Sequence, residues 1–345
     1  MKKVSSPRPS FKNFSTERGD FCLCRFMVKK LYYYLTRSPE REAVRFGCAA
    51  DAREMRRALR KYGMYYEEFC LFDCAGKTDG YVSSFITERN RFEIYRKYND
   101  PRDVPLFHDK WRVYQVYREY YKREVCPVIS SRDRMGFLEF AARHPIFLVK
   151  PADKSCGYGV KIADTSVQPA EELFGCLRKA GKYVCEELVP PHPVTERLNP
   201  TSLNTVRIVT VLEDGRVRLF HPFLRVGRYG SIVDNGGAGG IIVPVDAETG
   251  RLSKTGRDET GRYYSEHPDS RVRFADVTLP MWDEAVRLAE TLAKIHPTSR
   301  CIGFDLAAAE TGWLMIEANI HGQFIGQQMV DRVGRRWELI GEKTF

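Results

Sequence analysis

No stretch of this sequence reaches the roughly 18 consecutive apolar residues that a membrane-spanning helix needs. Phe21 to Leu35 is rich in Phe, Leu and Tyr, but Arg25, Lys29 and Lys30 interrupt it, and it begins too late and carries too much charge for a signal peptide. A helix packed on a core is the expectation there, with a basic surface helix in peripheral contact with a membrane as the alternative. The 10 cysteines contain no Cys-x-x-Cys pair and no His cluster joins them, so no zinc site is expected. At 345 residues the chain does not need disulfide staples, and reduced, mostly buried thiols in a cytoplasmic setting follow. Internal repeats and low-complexity tracts are absent. So is any recognisable nucleic-acid-binding module, and no nucleic-acid partner is expected.

What is present is an ordinary globular composition. Hydrophobic residues make up 43% and charged residues 29%, enough for one large or two medium cores and too little charge for global disorder. The formal charge of +10 fits an anionic partner without choosing among nucleotide, acidic polysaccharide and anionic surface.

Residues 1–18 read as a loose basic tail, 19–104 as a mainly helical region and 105–345 as a second, mixed domain. Helical composition runs over Ala50 to Tyr66, Glu88 to Tyr98 and Lys110 to Tyr121, with Asn99-Asp-Pro101 as a breaker and candidate boundary. From Pro145 the character changes. Pro145 to Lys150 and Gly159 to Ala163 read as a strand pair, Pro169 to Ala180 as a helix and Lys182 to Glu186 as a strand. Thr205 to Glu213 and Val217 to Val226 flank an Asp214-Gly215 turn, and Pro280 to Ile295 forms a helix.

Four features in the second domain carry chemistry. In Lys150-Pro-Ala-Asp-Lys-Ser-Cys-Gly-Tyr-Gly159, a lysine ends a strand and a small-residue loop follows. Gly157 and Gly159 let backbone N–H groups turn toward an anion, and a lysine supplies a point charge to the same phosphates. The loop contains no Gly-Lys-Ser/Thr and is not of the Walker type; an ordinary hairpin has the same look. Val184-Cys-Glu-Glu-Leu-Val189 ends a strand in acids before a Pro-Pro turn, so it offers backbone groups to an adenine edge or is a plain strand end in solvent. Arg207 interrupts an apolar strand, where it must leave the core or meet an anion. Arg225 follows on the partner strand, and Asp234-Asn-Gly-Gly-Ala-Gly-Gly240 suits a loop that closes on a ligand. Last, Cys301 to Ala309 and Trp313 to Asn319 form a hairpin around Glu310-Thr-Gly312. A hairpin centred on Thr311 places Asp305 opposite Glu317, with Asn319 on the same face, an oxygen set suited to Mg²⁺.

In this order the chain resembles the ATP-grasp superfamily, and Asn199-Pro-Thr-Ser-Leu-Asn-Thr-Val-Arg-Ile-Val-Thr210 with Ile316-Glu-Ala-Asn319 resembles its sugar-transfer-associated branch. The resemblance covers roughly residues 105 to 330 and implies an α+β fold whose two lobes clasp ATP, with a mainly helical N-terminal region ahead of it. It implies nucleotide contacts at Lys110, Lys150 and the loop carrying Lys154, Ser155, Gly157 and Gly159, with adenine read by Glu186, Glu187, Leu188 and Val189. His192, with Glu196, is the local candidate for the ribose, and Asn235 belongs to the second glycine loop. Arg207, Arg225 and Lys150 are the implied catalytic residues, and Asp305, Glu317 and Asn319 the ligands of two Mg²⁺ ions. The implied activity is a ligase that makes an acyl phosphate from ATP and joins it to an amine or other nucleophile, on a small molecule or a sugar or cell-envelope polysaccharide precursor. A kinase acting on a hydroxyl and a non-catalytic nucleotide-binding scaffold are the alternatives.

Overall fold

A computed structural model describes residues 37–155, 157–234, 236 and 239–341. The tail over 1–18, the segment Phe21 to Leu35 and Asn235 lie outside the described residues. Among the described residues, eleven strands form two antiparallel sheets. The smaller sheet contains β1 (Val125–Val128), β2 (Ile146–Pro151), β3 (Lys161–Asp164) and β4 (Tyr183–Glu187), in the order β1-β4-β2-β3. The larger sheet contains β5 (Thr205–Glu213), β6 (Arg216–Val226), β7 (Ile241–Pro244), β8 (Gly256–Asp258), β9 (Tyr263–Tyr264), β10 (Cys301–Ala309) and β11 (Gly312–Asn319), in the order β11-β10-β5-β6-β7-β8-β9.

The strands expected around residues 145–187, the β5–β6 and β10–β11 hairpins, and the helices Ala170–Ala180 and Trp282–Ile295 are all formed. Helix Lys110–Tyr121 starts where Asp109 accepts from the N–H groups of Trp111 and Arg112. The helix expected to run from Ala50 to Tyr66 is shorter, Ala52–Tyr62, and a separate helix follows at Tyr66–Leu71. Gly63 stops it at φ 67°, and a Cβ there would lie 2.3 Å from the Arg89 side chain. Likewise the helix expected from Glu88 begins at Arg91.

Alternation then decides what each sheet face meets. One face of the large sheet, with Val206, Ile208, Leu224, Val243, Phe304, Leu306 and Met315, packs against Trp282, Ala285, Ala289 and Leu292 and against Tyr114 and Tyr117. Each large apolar side chain buried there contributes roughly 1.5–3 kcal/mol. The opposite face is shared. The helices between Pro39 and Tyr98 cover Val209, Val211, Phe220, Phe223, Ile242 and Cys301. They leave the stretch that bears Arg207, Arg225, Asp305, Glu317 and Asn319. In the small sheet, Cys126, Val128, Phe147, Val149, Ala163 and Cys185 pack on helices Arg134–Arg143 and Ala170–Ala180. That turns Leu148, Lys150, Ile162 and Glu186 to the other side. No described helix is long and apolar enough to cross a membrane.

Candidate functional site

The expected pairing of Asp305 with Glu317 is present, but the hairpin reaches it by a different route. The turn pairs Ala309 with Gly312 and is centred between Glu310 and Thr311, a register that would set Asp305 opposite Ile316. A bulge at Ile316 adds one residue and restores Glu317 to the face of Asp305, with Asn319 opposite Gly303. The β5–β6 hairpin does the same. Its register shifts between Arg207 and Val209, where His221 takes φ 41°, so Arg207 pairs with Phe223 and Thr205 with Arg225. Without that extra residue Arg225 would point to the opposite face. Since Asp305 also pairs with Arg207, two bulges and three registers bring Arg207, Arg225, Asp305, Glu317 and Asn319 onto one face.

Asp305 is fully buried there, 1% exposed, and is the hub. Arg207 donates to it through Nε and Nη2, the latter at 3.0 Å, and Arg225 Nη2 lies 2.9 Å from Oδ2. Asn319 Nδ2 donates to the same oxygen at 3.4 Å. Burial alone would push the Asp305 carboxyl up, but Arg207 and Arg225 overcome it and hold it below the usual carboxylate range, so it is ionised at neutral pH. Arg225 Nη2 also donates to Thr205 Oγ1 at 2.7 Å and approaches Asp234 Oδ1 at 3.6 Å. Asp234 accepts from Thr205 N–H and Oγ1 at 2.8 and 2.6 Å, which anchors the start of the second glycine loop beside Arg225.

Lys110 joins this face to the small sheet. Its Nζ lies 3.3 Å from Glu317 Oε1 and donates to the carbonyl of Lys154, while its N–H donates to Ala152 O at 3.0 Å. On the small sheet, Lys150 Nζ lies 2.8 Å from Glu186 Oε2. Arg123 donates to the same oxygen at 2.9 and 2.6 Å and reaches Met315 O of β11 at 2.6 Å. Burial opposes ionisation of Glu186, yet Arg123 and then Lys150 outweigh it and hold its pKa at about 2.

The first glycine loop is exposed at Ser155, Gly157 and Gly159, with both glycines at positive φ, and Lys154 sits near Asp153 at 3.8 Å. Glu187 Oε2 accepts from Glu124 N–H, and its own N–H donates to Glu124 O, so the backbone that runs on past the sheet is that of Leu188 and Val189. His192 Nδ1 accepts from Val194 N–H at 3.1 Å and caps the short helix Pro193–Glu196. The alternative of a plain strand end in solvent does not fit Glu186, because its side chain is buried between Arg123 and Lys150.

Sequence reasoning passed over three contributors. Leu148 and Ile162 stand on the Lys150 side of the small sheet, with Ile162 46% exposed, an apolar surface beside the charged pair. Strand alternation from Lys150 already marks Leu148. Arg123 has no such signal, since nothing in its neighbourhood announces a buried partner 63 residues away.

Among the described residues no group of three His, Cys, Asp or Glu side chains is arranged for a metal. The face instead offers two carboxylates and an amide. Asp305 is ionised, Glu317 is one-third exposed with Lys110 beside it, and Asn319 turns its nitrogen to Asp305, which leaves Oδ1 as a donor. All are hard oxygen donors, so the set fits Mg²⁺ with phosphate oxygens completing its shell.

A family model described as sugar-transfer associated ATP-grasp matches residues 89–339. The chain belongs to this family. Its α+β architecture is that of an ATP-grasp protein, and it is similar at low identity to solved structures that include the following three. ATP-grasp ligase PsnB complexed with minimal precursor aligns at 15% identity and TM-score 0.40, over 67% of this chain and 57% of that one. D-alanyl-alanine synthetase A from Vibrio cholerae aligns at 10% and 0.43, over 70% and 62%. N5-carboxyaminoimidazole ribonucleotide synthetase, in an ADP complex, aligns at 12% and 0.41, over 64% and 46%. The alignment thus spans less than two-thirds of each of these proteins. No curated protein matches the chain.

Proposed function

We propose that this ATP-grasp protein is a Mg²⁺- and ATP-dependent ligase that activates a carboxylate as an acyl phosphate and joins it to an amine or other nucleophile. The observation that carries this is the single buried hub. Asp305, ionised and flanked by Glu317 and Asn319, shares its face with two guanidinium groups and lies across Lys110 from the Lys150–Glu186 pair. Asp305, Glu317 and Asn319 would hold the metal, which supplies charge neutralisation to the phosphate oxygens. Leu148, Ile162 and the backbone of Leu188 and Val189 form the adenine side. Lys110, Lys150 and the exposed Ser155–Gly159 loop meet the phosphates. Arg207 and Arg225 are fixed donors, pre-aimed where charge develops on the transferred phosphoryl group and the acyl phosphate. The loops at 154–159 and 234–240 exclude water from that intermediate.

The acceptor class, a sugar or cell-envelope polysaccharide precursor, rests on the family description and the net positive charge. A cytoplasmic setting follows from the need for ATP. The test is turnover of ATP with Mg²⁺ against a panel of carboxylates, amino acids and sugar acids, read by mass spectrometry. A ligase gives a joined product, ADP and free phosphate. A phosphorylated acceptor with no phosphate released identifies a kinase instead, and binding without any product identifies a scaffold.

A further inference from the structure

Helix Arg91–Tyr98 lies among the helices of the N-terminal region, and nothing in its sequence signals chemistry. Two of its buried side chains nevertheless reach the turn that leaves β11. Arg91 Nη1 donates to the carbonyls of His321 at 2.8 Å and Gly322 at 3.1 Å, and its Nη2 is held by Glu88 Oε1 at 2.5 Å. Tyr95 Oη donates to Gly322 O at 2.5 Å. Burial pushes the Tyr95 phenol well above its usual range, so it remains a donor. On its other side the same turn touches the reactive face. A Cβ built on Gly322 would lie 3.3 Å from Arg207 Nη1, 3.8 Å from Asn319 Cβ and 3.8 Å from Tyr95 Oη. The His321–Gly322 backbone is therefore a thin spacer, with Arg91 and Tyr95 gripping its carbonyls and Arg207 and Asn319 resting on it.

We propose that Arg91 and Tyr95 are positioning residues that set Arg207 and Asn319 on the reactive face, and through them the protein's response to Mg²⁺ with nucleotide. The helix acts at a distance of one backbone turn and touches no phosphate itself. A loosened turn lets the Asn319 amide and the Arg207 guanidinium sample other orientations. The entropy of ordering them is then lost when metal and nucleotide bind. ATP contacts on the small sheet, at Lys150 and the first glycine loop, lie outside this effect. The inference rests on the Mg²⁺–ATP assignment above.

The test uses the full chain and Tyr95→Phe, which removes one hydroxyl and keeps the ring in its core. Arg91→Lys, which keeps the charge and loses the planar fork, is the second variant, and Arg96→Ala, exposed on the same helix, is the control. Two readouts are taken. Hydrogen exchange of the metal-free protein over 319–323 should speed up by about threefold to tenfold in Tyr95→Phe and Arg91→Lys, as the loss of one net hydrogen bond allows. Calorimetry of ATP binding at stepped Mg²⁺ concentrations should show the Mg²⁺ needed for half-maximal binding raised by a similar factor, with metal-free ATP affinity unchanged. Arg96→Ala should match wild type in both. A lowered melting temperature with wild-type Mg²⁺ dependence in the folded protein would make Arg91 and Tyr95 merely structural and overturn the proposal. Wild-type protein that binds ATP with no Mg²⁺ dependence at all would overturn the metal assignment and this inference with it.

Discussion

Replacing Arg207 by Met tests whether the guanidinium at the centre of the large sheet serves reaction or folding. Its side chain is 11% exposed and Asp305 only 1%, so the pair is desolvated. Removing one partner of a buried pair typically costs about 3–5 kcal/mol, because the remaining charge is left alone. Here it is not left alone. Arg225 Nη2 remains 2.9 Å from Asp305 Oδ2, and Asn319 donates to the same oxygen. Met also retains most of the Arg volume against the apolar strand. The loss should therefore be about 1–2 kcal/mol, a fall of a few degrees in Tm by calorimetry. Catalysis should respond far more. A fixed donor aimed at developing charge contributes about 2.7–4 kcal/mol, so kcat should drop by at least ~100-fold. Thermal unfolding and ATP turnover, measured on the same preparation, decide the matter. A collapse in stability with full activity in the protein that stays folded would make Arg207 a structural partner of Asp305 and remove it from the mechanism.

Glu186 gives a pH signature. Its carboxyl is held at about 2, against an ordinary value near 4.5, by Arg123 and Lys150 despite burial. A depressed acid stabilises the fold above its unfolded pKa, and the contribution fades as pH falls from about 4.5 toward 2, on the order of 3 kcal/mol in all. The stability gap between wild type and Glu186→Gln should narrow over that window in urea titrations; a constant gap would show that the pair is not ionic. Lys150→Ala should weaken ATP binding more than Lys154→Ala in calorimetry. Lys150 is 13% exposed and already fixed by Glu186, whereas Lys154 is 34% exposed on a loop that must be ordered. Equal losses would refute that ranking, and a larger loss at Lys154 would reverse it.

Much of this arrangement is legible in the sequence where a local pattern specifies it. Alternation around Asp305, Glu317 and Asn319 marks one face, and Asp214-Gly215 marks the hairpin that carries Arg207 and Arg225. The bulges at Ile316 and His221 are not legible. Neither residue type demands one, and each shows only as a shift of register once the two strands of its hairpin pair. The burial of Glu186 was hidden for the same reason, since Arg123 reaches it only once β1 and β4 pair. The helices between Pro39 and Tyr98 carry no chemical motif, and their place on the side of the large sheet that bears Asp305 follows from Phe223 and Ile242, apolar residues that only tertiary packing could assign. The break at Asn99 was visible, but its amide donates to Cys301 O and Ile320 O, which ties that break to the strand of Asp305.

The most direct measurement is calorimetric binding of ATP with and without Mg²⁺ to wild type and to Glu317→Gln. Glu317 is one-third exposed, with Lys110 beside it at 3.3 Å, so the amide should leave the fold intact. If this face holds the metal, wild type should gain ATP affinity when Mg²⁺ is added, and Glu317→Gln should lose most of that gain, about 30-fold or more, corresponding to on the order of 2 kcal/mol. Equal Mg²⁺-dependent affinity in the two proteins, with equal turnover, would contradict the assignment of the Asp305–Glu317–Asn319 face as the metal and phosphate site.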